Sequence, residues 1–199
     1  AEETVAGLTT PTEKAVALFY AVRDGIRYTP YGVDLSPEAM RASVTLSAGK
    51  GMCIQKALLL TASARAVGVP ARLGFADVLN HLASRRFLDL MGGTEVFAWH
   101  AFTEFALDDR WLKATPAFDL GLCERFGVRP LEFDGTTDAL FHPFDAEGRP
   151  HMEYVRDRGS YTDLPLEEIR ETFEHLYPAW VEGKSDGDLH AEAAAEGAI

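Results

Sequence analysis

Residues 49–72 read GKGMCIQKALLLTASARAVGVPAR, and the rest of the chain is interpreted outward from them. Gly49-Lys50-Gly51 interrupts any preceding element, and Gly68-Val69-Pro70 stops the following one, which predicts a helix over about 52–67. Ile54, Ala57, Leu58, Leu59, Leu60, Ala62, Ala64 and Val67 cover most of its surface, the pattern of a buried helix. Cys53 then lies in the first turn of a central helix, beside a glycine-rich loop.

That position matters because a thiol is a weak nucleophile until it ionises. Free cysteine has a pKa of about 8.5, and a helix N-terminus or a nearby cation lowers it. Cys53 has the helix end, and Lys50 and Lys56 are close in sequence. The glycines leave room for a substrate, and the Cys53 N–H is a candidate oxyanion donor. The competing reading is a small buried filler, which is the reading we give to Cys123.

Upstream, Thr10-Pro11-Thr12-Glu13 opens a helix with a capping box, and Ala15, Leu18, Phe19, Val22 and Ile26 recur on one face. A short helix is expected after a Ser36 cap. Downstream, residues 71–78, 96–107 and 111–115 read as strands, with a turn at 108–110. Helices followed by an antiparallel sheet argue for an α+β fold. Residues 116–150 read as ordered loop, 165–180 as a last helix, and 182–199 as a mobile acidic Gly/Ala-rich tail beyond a domain over 1–181.

His100 lies in the strand AWHAFTEF (98–105), sharing a face with Ala98, Phe102 and Glu104. Alone, a histidine among aromatics is usually a core residue. Alongside Cys53 it is the candidate base, because a thiolate enzyme draws its base from elsewhere in the fold. If Asp109-Arg110 forms a two-residue turn, Asp119 falls opposite His100, although Pro116 interrupts that ladder.

The runs 49–53, 57–59 and 65–72 resemble the nucleophile helix and following strand of the transglutaminase-like superfamily. His100-Ala101-Phe102-Thr103-Glu104-Phe105, then Trp111, resembles its histidine and return strands, and residues 15–28 its lead-in helix with an aromatic end. The resemblance covers about residues 10–120. It implies a papain-like fold, a Cys–His–Asp triad and a thioester intermediate, with Cys53 and His100 as the first two members. The family usually places an aspartate four residues after the return-strand tryptophan. Here Thr115 occupies that place, and of the two candidates for the third member Asp119 is placed ahead of Thr115.

The expected activity is cysteine-dependent hydrolysis of a peptide or other amide or ester. The alternatives are acyl transfer to an amine and a catalytically silent peptide-binding module. No metal or cofactor is expected: His81, His142 and His151 lack ligand spacing, and no CxxC pair, GxSxG or phosphate loop occurs. Gln55 and Tyr28 are further candidates to line the oxyanion region. A formal net charge of -12 argues against nucleic acid and anionic membranes as partners. Two cysteines, no apolar run of membrane-spanning length and no basic-then-apolar leader pattern fit the cytoplasm. Oligomeric state is not legible.

Overall fold

The computed structural model describes residues 1–80, 84–140, 152–182 and 186–196. Helix α1 (Pro11–Gly25) starts where its capping box predicts: the Thr10 hydroxyl accepts the Glu13 N–H at 3.1 Å, and Glu13 Oε2 accepts the Thr10 N–H at 2.9 Å. The chain continues through β1 (Arg27–Tyr28), α2 (Ala42–Ala48) and β2 (Lys50–Gly51) into α3 (Cys53–Ala66). The short helix therefore begins after Arg41 rather than at Ser36. The Ser36 N–H and hydroxyl are used in a turn with Asp34 and Ala39.

Strands β3 (Ala71–Asn80), β4 (Val96–Leu107), β5 (Arg110–Ala114) and β6 (Met152–Tyr161) form an antiparallel sheet in the order β5-β4-β3-β6. Helix α3 lies on β4. The Thr103 hydroxyl donates to the Ala57 carbonyl at 3.0 Å and sits 3.1 Å from the Thr61 hydroxyl, so the polar atoms at this interface serve one another. The result is α+β, as expected. Between β3 and β4 lies α4 (Arg85–Leu90), capped by Ser84, and His81 lies outside the described residues, as do His142 and His151.

Three expectations need correction. The 116–150 stretch, read as loop, contains α5 (Leu120–Phe126), capped by the Asp119 carboxylate and closed by Gly127. The expected last helix is two, α6 (Leu166–Leu176) and α7 (Pro178–Val181). The tail is not simply a mobile end: α8 (Leu189–Glu196) packs on α5 and buries Leu189 and Ala193.

The hairpin turn is Asp108-Asp109, both at positive φ, a conformation that aspartate tolerates better than most residues. Leu107 consequently pairs with Arg110. Continued toward His100, that register carries residue 117, not 119, to the level of the imidazole, and the ladder itself ends at Ala114. Further along β4, Ala98 and Trp99 together oppose Asp77, a β-bulge with Trp99 at φ 61°. The extra residue breaks the alternation anticipated between Ala98 and His100. It brings Phe97 and His100 together instead, with ring centroids 6.1 Å apart.

Candidate active site

Cys53 is the first residue of α3 and is fully buried. The approach to it is tight. A Cβ on Gly51 would come within 3.1–3.2 Å of Gln55 and Thr45 side-chain atoms. Parallel pairing of Tyr28 with Gly51, flanked by hydrogen bonds from the Arg27 N–H to the Gly49 carbonyl (2.9 Å) and from the Thr29 N–H to the Gly51 carbonyl (3.1 Å), fixes the loop before the cysteine.

Three backbone N–H groups lie in electrostatic reach of the Cys53 sulfur: those of Ala101, Ile54 and Cys53 itself. β5 stops at the level of Thr103, leaving that side of β4 open at Ala101, the residue after His100. His100 is 4% exposed. Burial pushes the Cys53 thiol up to about 12, against the pull of the three N–H groups, so in this closed arrangement the sulfur holds its proton.

The other candidate residues sit as follows. Gln55 Oε1 accepts the Met52 N–H at 3.0 Å, so the glutamine closes the helix end instead of facing a substrate. Lys56 is not beside the sulfur. Its ammonium is buried and donates to the carbonyls of Arg23 (2.9 Å) and Ile26 (2.5 Å), capping the end of α1. Burial lowers its pKa to about 7, opposed by Asp119 and Asp24. Lys50 is exposed. Tyr28, in contrast, is buried with its phenol in electrostatic reach of Cys53. Burial first, then the charge a Cys53 thiolate would carry, raises its pKa well above the ordinary range, keeping it a proton donor. Its ring meets Phe118 edge-on at 5.0 Å.

Asp119 is committed to a different task from the one its sequence position suggested. Oδ2 accepts the Tyr28 N–H at 2.8 Å, Oδ1 accepts the Leu122 N–H at 3.0 Å, and His190 Nε2 lies 3.2 Å from Oδ2. Thr115 is 3% exposed, and its hydroxyl has no hydrogen-bond partner among the described residues. Cys123, on α5, is buried, and burial followed by Asp119 pushes its thiol up to about 12. No group of metal-ligating side chains occurs among the described residues. No described helix is long and apolar enough to cross a membrane.

The pattern of the Transglutaminase-like superfamily matches residues 1–116. The chain belongs to that superfamily. The matched range includes Cys53, His100 and Thr115. No curated protein matches the chain. One solved structure that it resembles is described as "a Putative Cysteine Protease from Cytophaga hutchinsonii". It is 14% identical, with a TM-score of 0.45, over 81% of this chain and 47% of the other. The chain thus spans about half the length of that protein. Membership of the transglutaminase-like superfamily supports a cysteine-type enzyme in general terms.

Sequence reasoning could not place two features of this transglutaminase-like site. The β-bulge at Ala98–Trp99 has no glycine or proline to announce it. The position of Tyr28 depends on parallel pairing with a segment more than twenty residues away, although its aromatic character at the end of α1 was a visible hint.

Proposed function

We propose that this protein is a cysteine-dependent acyl-transfer enzyme, with hydrolysis of a peptide or other amide or ester as its reaction. The observation that supports the reading is the Ala101 N–H in electrostatic reach of the buried Cys53 sulfur, on the strand that also carries the candidate base His100. In the reaction His100 removes the thiol proton as the sulfur attacks the carbonyl carbon. The Cys53 N–H and the Tyr28 phenol are the donors to the developing oxyanion. Collapse forms a thioester while His100 passes its proton to the leaving amine or alcohol. Water, deprotonated by His100, then attacks the thioester and regenerates the thiol. An amine in place of water gives transfer instead of hydrolysis.

For the group behind His100 we favour Thr115 over Asp119. Both Asp119 oxygens already accept backbone N–H groups, whereas Thr115 holds the superfamily's usual aspartate position with a buried, unpartnered hydroxyl among the described residues. A threonine orients an imidazole without stabilising the imidazolium as a carboxylate does. Thr115→Val should therefore reduce kcat more than Asp119→Asn does. The reverse order would return the role to Asp119.

The sealed, protonated Cys53 and the Thr115 substitution also favour a second reading, a silent peptide-binding module. A thiol-directed activity probe separates the two. With a peptide substrate bound, labelling of Cys53 faster than in urea-denatured protein supports the enzyme, and equal or slower labelling supports the module.

A further inference from the structure

The C-terminal helix α8 is held by carboxylates against the apolar cluster that contains Cys53. Glu192 Oε2 accepts hydrogen bonds from the Tyr31 hydroxyl and, at 2.7 Å, from the Ser84 hydroxyl, and Arg86 Nε stands 3.8 Å from Oε1. Asp188 accepts the N–H groups of His190 and Ala191 at the start of the helix and pairs with Arg27 at 2.5 Å. Arg86 also donates to the Asp186 carbonyl.

The donor count shows why Glu192 is needed. Tyr31 is 7% and Ser84 2% exposed. Ser84 Oγ already accepts the Phe87 N–H at 3.2 Å, so its single proton is the one given to Glu192. The two hydroxyls are 3.4 Å apart, and turned toward each other they satisfy one proton, not both. With the carboxylate removed while α8 stays in place, a buried donor is left without an acceptor. The arrangement is a built receptor for one carboxylate.

It also adjoins the Cys53 site. Leu189 and Ala193 of α8 belong to the same apolar cluster as Cys53, Tyr28, Tyr31 and Phe118, and Tyr31 is in electrostatic reach of Tyr28. Helix α8 rests on α5, whose capping Asp119 holds the Tyr28 N–H. Arg27 and Arg86 are about half exposed here, a local positive rim on a chain of formal charge -12.

We propose that Tyr31, Ser84 and Arg86 form a carboxylate-binding pocket beside the Cys53 cleft, filled in the resting chain by Glu192, and that an acidic peptide opens the cleft by taking Glu192's place. The own-chain segment is thus a displaceable strap, and the ligand class is a peptide with an acidic side chain. The consequence for catalysis rests on Cys53 being the nucleophile, but occupancy of the pocket does not.

The test uses the full chain with Glu192→Gln, and Tyr31→Phe as an independent route to the same loss. Hydrogen exchange of residues 189–196 should speed up by about ten- to hundredfold, as expected for losing charge-assisted hydrogen bonds. Iodoacetamide alkylation of Cys53 should speed up with it, while the α3 amides keep their protection. A synthetic peptide of residues 186–196, DGDLHAEAAAE, supplies the carboxylate together with the apolar Leu189 and Ala193 and, added to Glu192→Gln, should restore slow alkylation, whereas a short acidic peptide without those two residues, added to wild type, should speed it. The 186–196 peptide with glutamine at the Glu192 position should not restore it.

Exchange within twofold of wild type in both variants overturns the pocket, as does equal protection by the two 186–196 peptides. Faster exchange of α8 with unchanged Cys53 alkylation overturns the link to the cleft. A Cys53→Ala chain that keeps its turnover would remove the catalytic reading and leave the exchange result standing.

Discussion

Replacing Asp119 by alanine tests the reassignment of that residue most directly. Two hydrogen bonds disappear. The first is the cap of α5, where Oδ1 accepts the Leu122 N–H at 3.0 Å, and loss of such a cap costs typically about 1 kcal/mol. The second is the bond from the buried Tyr28 N–H to Oδ2 at 2.8 Å, and a buried donor left without an acceptor costs about 1–3 kcal/mol. The sum is roughly 2–4 kcal/mol, below the about 5–15 kcal/mol by which a domain of this kind exceeds unfolding. Asp119→Ala should therefore fold and unfold early in urea, followed by the fluorescence of Trp99, Trp111 and Trp180. Asparagine keeps one acceptor oxygen and should lose about half as much. A loss below about 0.5 kcal/mol in the alanine variant would refute the role of Asp119 as the tie between Tyr28 and α5.

Other outcomes are also specified. Cys53→Ala should abolish turnover while the urea midpoint stays close to wild type; retained activity would exclude Cys53 as nucleophile. Because burial holds the Cys53 thiol up at about 12, its alkylation rate in the closed chain should climb tenfold per pH unit from pH 7 to 10, and a plateau below pH 9 would contradict that environment. Lys56, lowered to about 7 from an ordinary 10.5, sheds its proton in the folded chain before the unfolded one does. Between those values the unfolded state binds more protons, so stability rises with pH, by at most about 1.4 kcal/mol per unit. Comparing urea midpoints at pH 7 and 9 should show that gain in wild type and not in Lys56→Met; parallel changes would refute it. Gly74→Ala would place a Cβ 2.1 Å from the Phe102 ring, and should cost about 1–3 kcal/mol in the same urea assay.

The parts of the fold legible in the sequence were those fixed by nearby residues. The Thr10–Glu13 box, the glycines on both sides of α3 and the apolar run of β4 each act within a few positions. What escaped was set by distant partners. Strand β6 carries Glu153, Arg156, Asp157 and Arg158, and two irregularities in its pairing with β3 erase the two-residue period. Helix α8 is short and rich in alanine and glutamate, and it is kept in place by Tyr31 and Ser84, far away in sequence. The register error at Asp119 came from choosing Asp109-Arg110 over Asp108-Asp109 as the turn pair. A one-residue shift of the turn moves the opposing residue by two.

Trp99 is a bulky residue held in the left-handed region immediately before His100. Such a conformation costs of order 1–3 kcal/mol and persists only where surroundings enforce it. The enforcers here are Asp77, accepting the Trp99 N–H at 3.0 Å; Thr172, accepting the indole N–H at 2.9 Å; and Arg158, lying over the ring. They come from β3, α6 and β6. The backbone that carries the imidazole is thus answerable to three segments outside the superfamily's nucleophile helix and histidine strand, so in the proposed mechanism a change on β6 or α6 reaches the base from a distance.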